Sequence, residues 1–160
     1  MLKYIGIFIL ASSLSVYGTV LSESLKESNL LRKEVIQLLN SIERSIRYKG
    51  ASYVVIIREC SLPFLRKSGF CEGILNYENA ERTINTTLSV LSEEDRRMLC
   101  EFFSNLGKSP YSEQVLKLCS YYIDYFEKTQ ADVDKNLNTR VLLYKKIGLI
   151  AGILTAIIFI

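Results

Sequence analysis

The amino-acid sequence predicts an all-α protein: a helical bundle with a long C-terminal helix, flanked by transmembrane helices at the N- and C-terminal ends. Three observations lead to this fold class. Apolar residues recur at the spacing of amphipathic helices, glycine and proline are scarce, with 8 and 2 residues, and the two ends of the chain carry almost no charge. The one β-branched run, residues 53–57, has no partner strand elsewhere in the sequence, so we expect a buried helix there.

Charge divides the 160-residue chain into three parts. Of 20 basic and 17 acidic side chains, only Lys3 falls within residues 1–21 or 147–160. We therefore expect an N-terminal membrane anchor at residues 1–21 and a soluble helical domain at residues 22–146. A C-terminal membrane segment is expected at residues 147–160, with a start as early as residue 141. The small net charge of +3 makes nucleic acid a poor candidate for the partner.

The N-terminal run from Tyr4 to Leu21 contains no charged residue. As a helix it would cover about 27 Å, close to the ~30 Å hydrocarbon core of a bilayer. The alternative is a cleaved signal peptide, since Lys3 supplies a minimal basic start and Val16-Tyr17-Gly18 resembles a poor cleavage site. The C-terminal run would cover only about 21 Å unless Lys145 and Lys146 snorkel and residues 141–144 join the span.

Lysine and arginine predict the orientation of both segments. They are far more numerous on the domain side of each segment than on the outer side. Because positive charge is retained on the cytoplasmic side, we expect a cytoplasmic domain on the cell membrane, with both termini outside. A functional signal peptide would reverse this placement.

The residue types present predict no catalytic, cofactor-binding or metal-binding site. The sequence has no histidine, which excludes Ser-His-Asp and Cys-His catalytic sets. Its four cysteines form no C-x-x-C pair and lie among apolar residues, which favours packed free thiols, with disulfides as the alternative. Carboxylates are scattered, so the protein is not expected to be an enzyme.

Besides the buried helix at residues 53–57, four helical segments are predicted between the ends. An amphipathic helix covers Leu31 to Ile46, with Glu34 on its polar face, and stops near Gly50. A second helical stretch covers Phe70 to Leu91. Ser92 caps a third helix, whose acidic first turn suits the helix dipole better than catalysis and which Gly107 closes.

The last helix is predicted to be about 50 residues long, roughly 75 Å. Ser109 and Pro110 form a typical start, and no glycine or proline follows until Gly148. Its apolar stripe includes the aromatic cluster of residues 121–126, which we assign to the core rather than to base stacking. From Thr129 onwards the stripe thins into a polar stalk, for which contact with partner subunits is the expected reason. Gly107-Lys108-Ser109 lacks the upstream glycine of a phosphate loop, so no small-molecule or nucleotide substrate is predicted.

In this layout the sequence resembles the stage III sporulation protein AB family. The resemblance rests on four segments in the expected order: Met1–Gly6, Leu38–Tyr48, Phe103–Ser109 together with Gln114, and Lys145–Gly152. It implies a helical, membrane-anchored component of the channel complex between mother cell and forespore. It also implies a soluble part similar to the cytoplasmic domain of type II secretion platform proteins.

The resemblance further implies partners. These are a cytoplasmic secretion ATPase, the stage III sporulation protein AA, and other stage III sporulation channel proteins, at the mother-cell membrane facing the forespore. The leading hypothesis is a scaffold that contacts them through polar residues of the last turn and the stalk: Lys108, Ser109, Gln114, Gln130, Asp132, Asp134 and Lys135. The alternative is an extracytoplasmic anchored interaction protein with a cleaved signal peptide and disulfides.

Overall fold

A computed structural model describes residues 2–49, 52–76, 79–106 and 112–159, and within these ranges it contains seven helices and no strand. The all-α prediction is therefore confirmed. In chain order the helices are α1 (Leu2–Lys49), α2 (Tyr53–Arg58), α3 (Pro63–Lys67), α4 (Phe70–Leu75), α5 (Ala80–Thr87), α6 (Glu93–Leu106) and α7 (Ser112–Phe159).

The chain divides into two compact units. The bundle unit comprises Ser28–Ala131, and the terminal unit comprises Met1–Glu27 together with Asp132–Ile160. Helices α1 and α7 contribute residues to both units, whereas α2 to α6 belong to the bundle unit alone.

The two longest helices differ in how well the sequence predicted them. The predicted long last helix is confirmed, since α7 has 48 residues. Helix α1 also has 48 residues, although the sequence pattern predicts an anchor separate from a helix starting at Leu31. No glycine or proline lies between Gly18 and Gly50, which explains why the helix continues. The predicted stops at Gly50 and Gly107, and the predicted start at Ser109 and Pro110, lie outside the described residues.

The predicted single helix over residues 70–91 is wrong, because the structure has two short helices there. Helix α4 ends before α5 begins, and Asn79 starts α5 by accepting a hydrogen bond from the backbone N–H of Glu81 at 3.0 Å. The two helices pack closely. A Cβ atom on Gly73 would lie 2.5 Å from Cγ2 of Thr83, so a larger residue there would displace the buried Thr83 side chain.

The helical interpretation of residues 53–57 is confirmed by α2. Ser52 precedes the helix in an extended conformation, and its side chain accepts the N–H of Val54 at 3.4 Å. This favours a helix start over the local strand preference of the β-branched residues. Ile57 faces the core, while Val55 is exposed.

An aromatic and aliphatic core fills the bundle unit. Phe102 packs edge-to-face against Phe103 and Tyr122, and Phe70 packs in the same way against Phe103, with ring centroids 5.1 to 5.7 Å apart. Phe126 is fully buried. The predicted assignment of most of the aromatic cluster to the core is therefore confirmed. Helix α6 contributes one apolar stripe to this core. The stripe consists of Met98, Leu99, Phe102, Phe103 and Leu106.

Helix α6 begins as predicted. The Oγ atom of Ser92 accepts the backbone N–H of Asp95 at 3.1 Å, and acidic residues occupy the first turn. The helix ends at Leu106.

Over the described residues, no helix combines the length and the apolar character required to cross a membrane.

Candidate interaction surfaces

The terminal unit exposes most of the apolar surface of the described chain. Fourteen of the nineteen exposed large apolar side chains belong to it. They are Ile9, Val16, Tyr17, Val20, Leu142, Leu143, Tyr144, Ile147, Leu149, Ile150, Ile153, Leu154, Ile157 and Ile158. Soluble monomers seldom present so much contiguous apolar surface, which marks a site for protein or membrane contact.

Two glycines bring α1 and α7 into backbone contact within the terminal unit. A Cβ atom on Gly18 would lie 2.7 Å from the carbonyl oxygen of Tyr144 and 3.0 Å from Cα of Gly148. A Cβ atom on Gly148 would lie 2.9 Å from the carbonyl oxygen of Leu14. Any larger residue at either position would force the helices apart. Such small-residue crossings are the typical packing mode of helices in lipid, where the hydrophobic effect contributes little to helix association.

Polar candidate residues lie at the start of the α7 segment of the same unit. Asp132, Asp134 and Lys135 are all exposed, as a partner contact requires. Asp134 also makes a contact within the chain. These residues are neighbours on one helix rather than parts of an enclosed pocket.

The bundle unit has a groove between the C-terminal end of its α1 segment and the first turns of α7. The groove has a volume of about 550 Å³ and is lined by Arg47, Glu113, Leu116, Lys117 and Ser120. It therefore presents two basic groups and one carboxylate.

Arg47 is held in place on the wall of this groove. Its guanidinium donates to the carboxylate of Glu43, one turn earlier, at 2.5 Å. This hydrogen bond and the charge of Glu43 raise the pKa of Arg47. Gln114, predicted as a contact residue, is exposed next to the groove-lining Glu113 and makes a contact within the chain. Lys108 and Ser109 lie outside the described residues.

Gln130 is not available to a partner, contrary to its inclusion among the exposed stalk residues. Only 7% of its surface is accessible, and its Nε2 donates to Oδ1 of Asn29 at 2.6 Å. Residues 129–133 were interpreted as stalk because the apolar stripe thins there. In the structure Gln130 lies at a buried position, where its Nε2 is hydrogen-bonded to Asn29 while its Oε1 has no hydrogen-bond partner.

A family model for stage III sporulation protein AB matches residues 71–160, more than half of the chain. The chain belongs to the stage III sporulation protein AB family. No curated protein and no solved structure matches it. The matched residues contain two of the four segments that carry the resemblance, Phe103–Ser109 with Gln114 and Lys145–Gly152, and they cover α5 to α7 and all of α4 except Phe70. Family membership gives this protein a role in sporulation.

This sporulation protein contains a buried ion pair that the sequence analysis missed. Nη2 of Arg32 on α1 contacts Oδ2 of Asp95 on α6, and Oγ of Ser92 donates to the same oxygen at 2.6 Å. Arg32 is 6% exposed and Asp95 is not exposed at all. The helical spacing in the sequence does indicate that both charges are buried. Arg32 precedes Val35 by three residues and Asp95 precedes Met98 by three, so each charge lies on the apolar face of its helix.

Glu34 is also buried, contrary to its predicted place on the polar face of the first amphipathic helix. Its two carboxylate oxygens accept the backbone N–H groups of Phe64 and Leu65, at 3.1 and 2.8 Å. These groups belong to the first turn of α3, whose N-cap, Leu62, provides no side-chain acceptor. A residue on α1 therefore supplies the cap that the local sequence of α3 lacks.

The cysteines of the described chain are free thiols. Cys71 and Cys119 belong to the core and Cys60 and Cys100 are half-buried, in agreement with the predicted packing role. Burial raises the pKa of Cys119 to about 11, so its thiol stays protonated at neutral pH. Among the residues described, no three cysteine or carboxylate side chains come together as metal ligands would.

Proposed function

We propose that this family member is a non-enzymatic, membrane-anchored scaffold of the channel complex between mother cell and forespore. In this role the terminal unit is embedded in the mother-cell membrane and the bundle unit lies in the cytoplasm. The observation that carries the proposal is the concentration of exposed apolar side chains on the terminal unit: eleven of the fourteen lie in residues 1–21 and 147–160, which contain a single charged residue, Lys3.

Lipid is a better occupant of this surface than a second soluble protein. The exposed apolar residues of α7 form one broad face without charge: Leu149, Ile150, Ile153 and Leu154 are all more than half exposed and span about 140° of the helix circumference, and no charged residue occurs between residues 147 and 160. The Gly18–Gly148 crossing satisfies the packing between the helices and leaves the outer surfaces to the acyl chains. Lys145 and Lys146 suit the boundary with the lipid headgroups.

Topology mapping tests the membrane arrangement. Reporters that are active only in the cytoplasm would be fused at residue 60 and at residue 160 of the full-length chain. We expect activity at 60 and none at 160. An inactive reporter at 60 would contradict the proposed cytoplasmic bundle and favour the arrangement with a cleaved signal peptide.

We further propose that the bundle unit holds a cytoplasmic secretion ATPase, the stage III sporulation protein AA, together with other stage III channel proteins. The groove of Arg47, Glu113 and Lys117 is the first candidate surface, because anchored arginine and exposed aromatic side chains are typical of interface hot spots. Tyr48, 80% exposed, follows Arg47 in sequence, and Tyr121, also exposed, follows Ser120. The exposed stalk residues Asp132, Asp134 and Lys135 are the second candidate surface.

Pull-down of the ATPase with charge-reversal variants distinguishes the two surfaces. Arg47→Glu with Lys117→Glu alters the groove, whereas Asp132→Lys with Asp134→Lys alters the stalk. Lys128→Glu, on an exposed position of α7 that lines neither surface, is the matched control. We expect one of the two pairs to abolish capture while the helical circular dichroism signal is retained. Full capture by both pairs would overturn the assignment of the contact to these surfaces.

The extracytoplasmic alternative is tested by labelling thiols on intact cells. Cys60 and Cys100 are half-buried, so a maleimide reaches them in the folded protein. A membrane-impermeant maleimide should label the protein only after the membrane is made permeable. Labelling of intact cells, or a protein mass consistent with disulfides, would support the alternative instead.

A further inference from the structure

Two cysteines that are eleven residues apart, on different elements, lie near each other in the bundle unit. Cys60 lies in the link between α2 and α3, and Cys71 is the second residue of α4. The side chain of Cys60 lies close enough to Cys71 to contribute to the raised pKa of the Cys71 thiol. Helix α4 packs against both α2 and α3, so the fold itself delivers the two sulfur atoms to one place.

The two thiols differ in access to solvent. Cys60 lines an open cleft of about 220 Å³ together with Ser41, Ser45 and Glu59, whereas Cys71 is buried in the core behind it. A small reagent entering the cleft therefore reaches Cys60 before Cys71. Residues 60–62 are not helical, so the small shift of Cys60 that a sulfur–sulfur bond requires falls in the link between α2 and α3 and not within a helix.

We propose that Cys60 and Cys71 are a redox-active thiol pair, converted to an intramolecular disulfide by exchange with a small disulfide such as oxidised glutathione. The Cys60 thiolate attacks one sulfur of the small disulfide, whose sulfur–sulfur bond breaks and releases one thiol. The Cys71 thiolate then attacks Sγ of Cys60 and releases the second thiol. The protein loses two electrons and two protons, and the small disulfide is reduced to two thiols.

The surroundings of the two thiols assign their order of reaction. Burial, with the neighbouring Cys60 adding to it, raises the pKa of Cys71 to about 12, while the nearby Arg66 opposes this rise. Cys71 is therefore a poor first nucleophile and acts as the resolving thiol once Cys60 carries the mixed disulfide. Cys100 and Cys119 lie on α6 and α7, where burial first and then the negative charges of Glu81 and Glu43, respectively, raise the pKa of each thiol, and they serve as internal controls.

Peptide mapping of the folded full-length protein tests the pair directly. The protein in detergent is incubated with oxidised glutathione, its remaining thiols are alkylated, and it is digested with trypsin. Cleavage at Arg58, Arg66, Lys67 and Arg82 places Cys60 in peptide 59–66 and Cys71 in peptide 68–82. We expect these two peptides to be recovered joined by a disulfide. Recovery of both as alkylated single peptides, or their linkage to the Cys100 or Cys119 peptide, would overturn the proposal.

Variants add an independent readout of the order of attack. Cys71→Ser should accumulate glutathione on Cys60, because the resolving thiol is gone, whereas Cys60→Ser should accumulate none on Cys71. The double variant Cys100→Ser/Cys119→Ser should form the disulfide as the wild type does. Glutathione on Cys71 of the Cys60→Ser variant, with its circular dichroism spectrum unchanged, would contradict the assigned roles. The pair lies within the bundle unit, so these outcomes do not depend on the proposed membrane anchoring.

Discussion

The buried contact between Arg32 and Asp95 joins α1 to α6 through charged groups. Removing one partner leaves the other charge buried without compensation, which typically costs about 3–5 kcal/mol. We expect Asp95→Ala to lower the free energy of unfolding by about this amount, measured by urea denaturation of the detergent-solubilised chain. Asp124→Ala, at an exposed position on α7, should change it by no more than about 0.5 kcal/mol.

The double variant Arg32→Met/Asp95→Leu separates the charge effect from packing. Replacing both members of a buried ion pair by apolar groups of similar size is often neutral or stabilising. We therefore expect the double variant to recover most of the stability lost by Asp95→Ala. A double variant as unstable as the single one would show that the pair acts through shape rather than charge.

The buried polar residues show where sequence reasoning stops. Periodicity correctly placed Leu39, Phe102 and Phe126 inside, because apolar side chains have one favourable environment. It misplaced Glu34 and Gln130, because a polar side chain is satisfied equally by water or by a partner on another helix. Whether such a partner exists depends on the tertiary arrangement, so local sequence does not decide it.

Helix α3 depends on a residue distant in sequence for its first turn. It has only five residues, and Glu34 accepts two of its backbone N–H groups. Glu34→Ala should lower the free energy of unfolding by about 1–3 kcal/mol, because hydrogen bonds to a charged acceptor are lost. Hydrogen exchange should show faster exchange of the amides of Phe64 and Leu65.

Two further variants test that interpretation of Glu34. Glu34→Gln keeps one oxygen acceptor and should lose less stability than Glu34→Ala. Glu27→Ala, at an exposed position of the same helix, should leave exchange in α3 unchanged. Equal exchange rates in wild type and Glu34→Ala would mean that α3 holds its first turn without the carboxylate.

The contact of α1 with α7 in the terminal unit requires glycine at both positions of the crossing. Gly148→Ile should increase the separation of the helices by about 2 Å or more, towards the ordinary 8–10 Å between helix axes. Pulsed electron spin resonance measures this change between nitroxide labels at Val20 and Leu142, two exposed positions, on a background with the native cysteines replaced by serine.

Gly6 provides the matched control for this crossing. A Cβ atom there would have nothing within 4 Å, so Gly6→Ile should leave the label distance unchanged. An unchanged distance in Gly148→Ile as well would rule out the crossing at Gly18 and Gly148. The sequence predicted apolar helices at both ends but not this contact, since the glycines mark an approach only when the opposing helix is known.

The whole chain combines a charged bundle with ends that expose apolar side chains, and this asymmetry predicts its partition between membrane and water. We expect the wild-type protein to remain with the membrane pellet after extraction with alkaline carbonate, which removes peripheral proteins. Lysine in the middle of a membrane helix costs about 2.5–3.5 kcal/mol on insertion scales. The variant Val16→Lys/Ile153→Lys, with one lysine in each segment, should therefore shift substantially into the supernatant.

Val90→Lys separates a membrane effect from a general effect of added charge. Val90 is an exposed apolar residue of the bundle unit, so its substitution adds a lysine without altering either terminal segment. It should sediment with the membranes as the wild type does. If carbonate released the wild type itself, the apolar surface of the terminal unit would have to be covered by protein rather than lipid, and the proposed anchoring would be wrong. Release of Val90→Lys together with the double variant would instead indicate that added charge alone changes the partition.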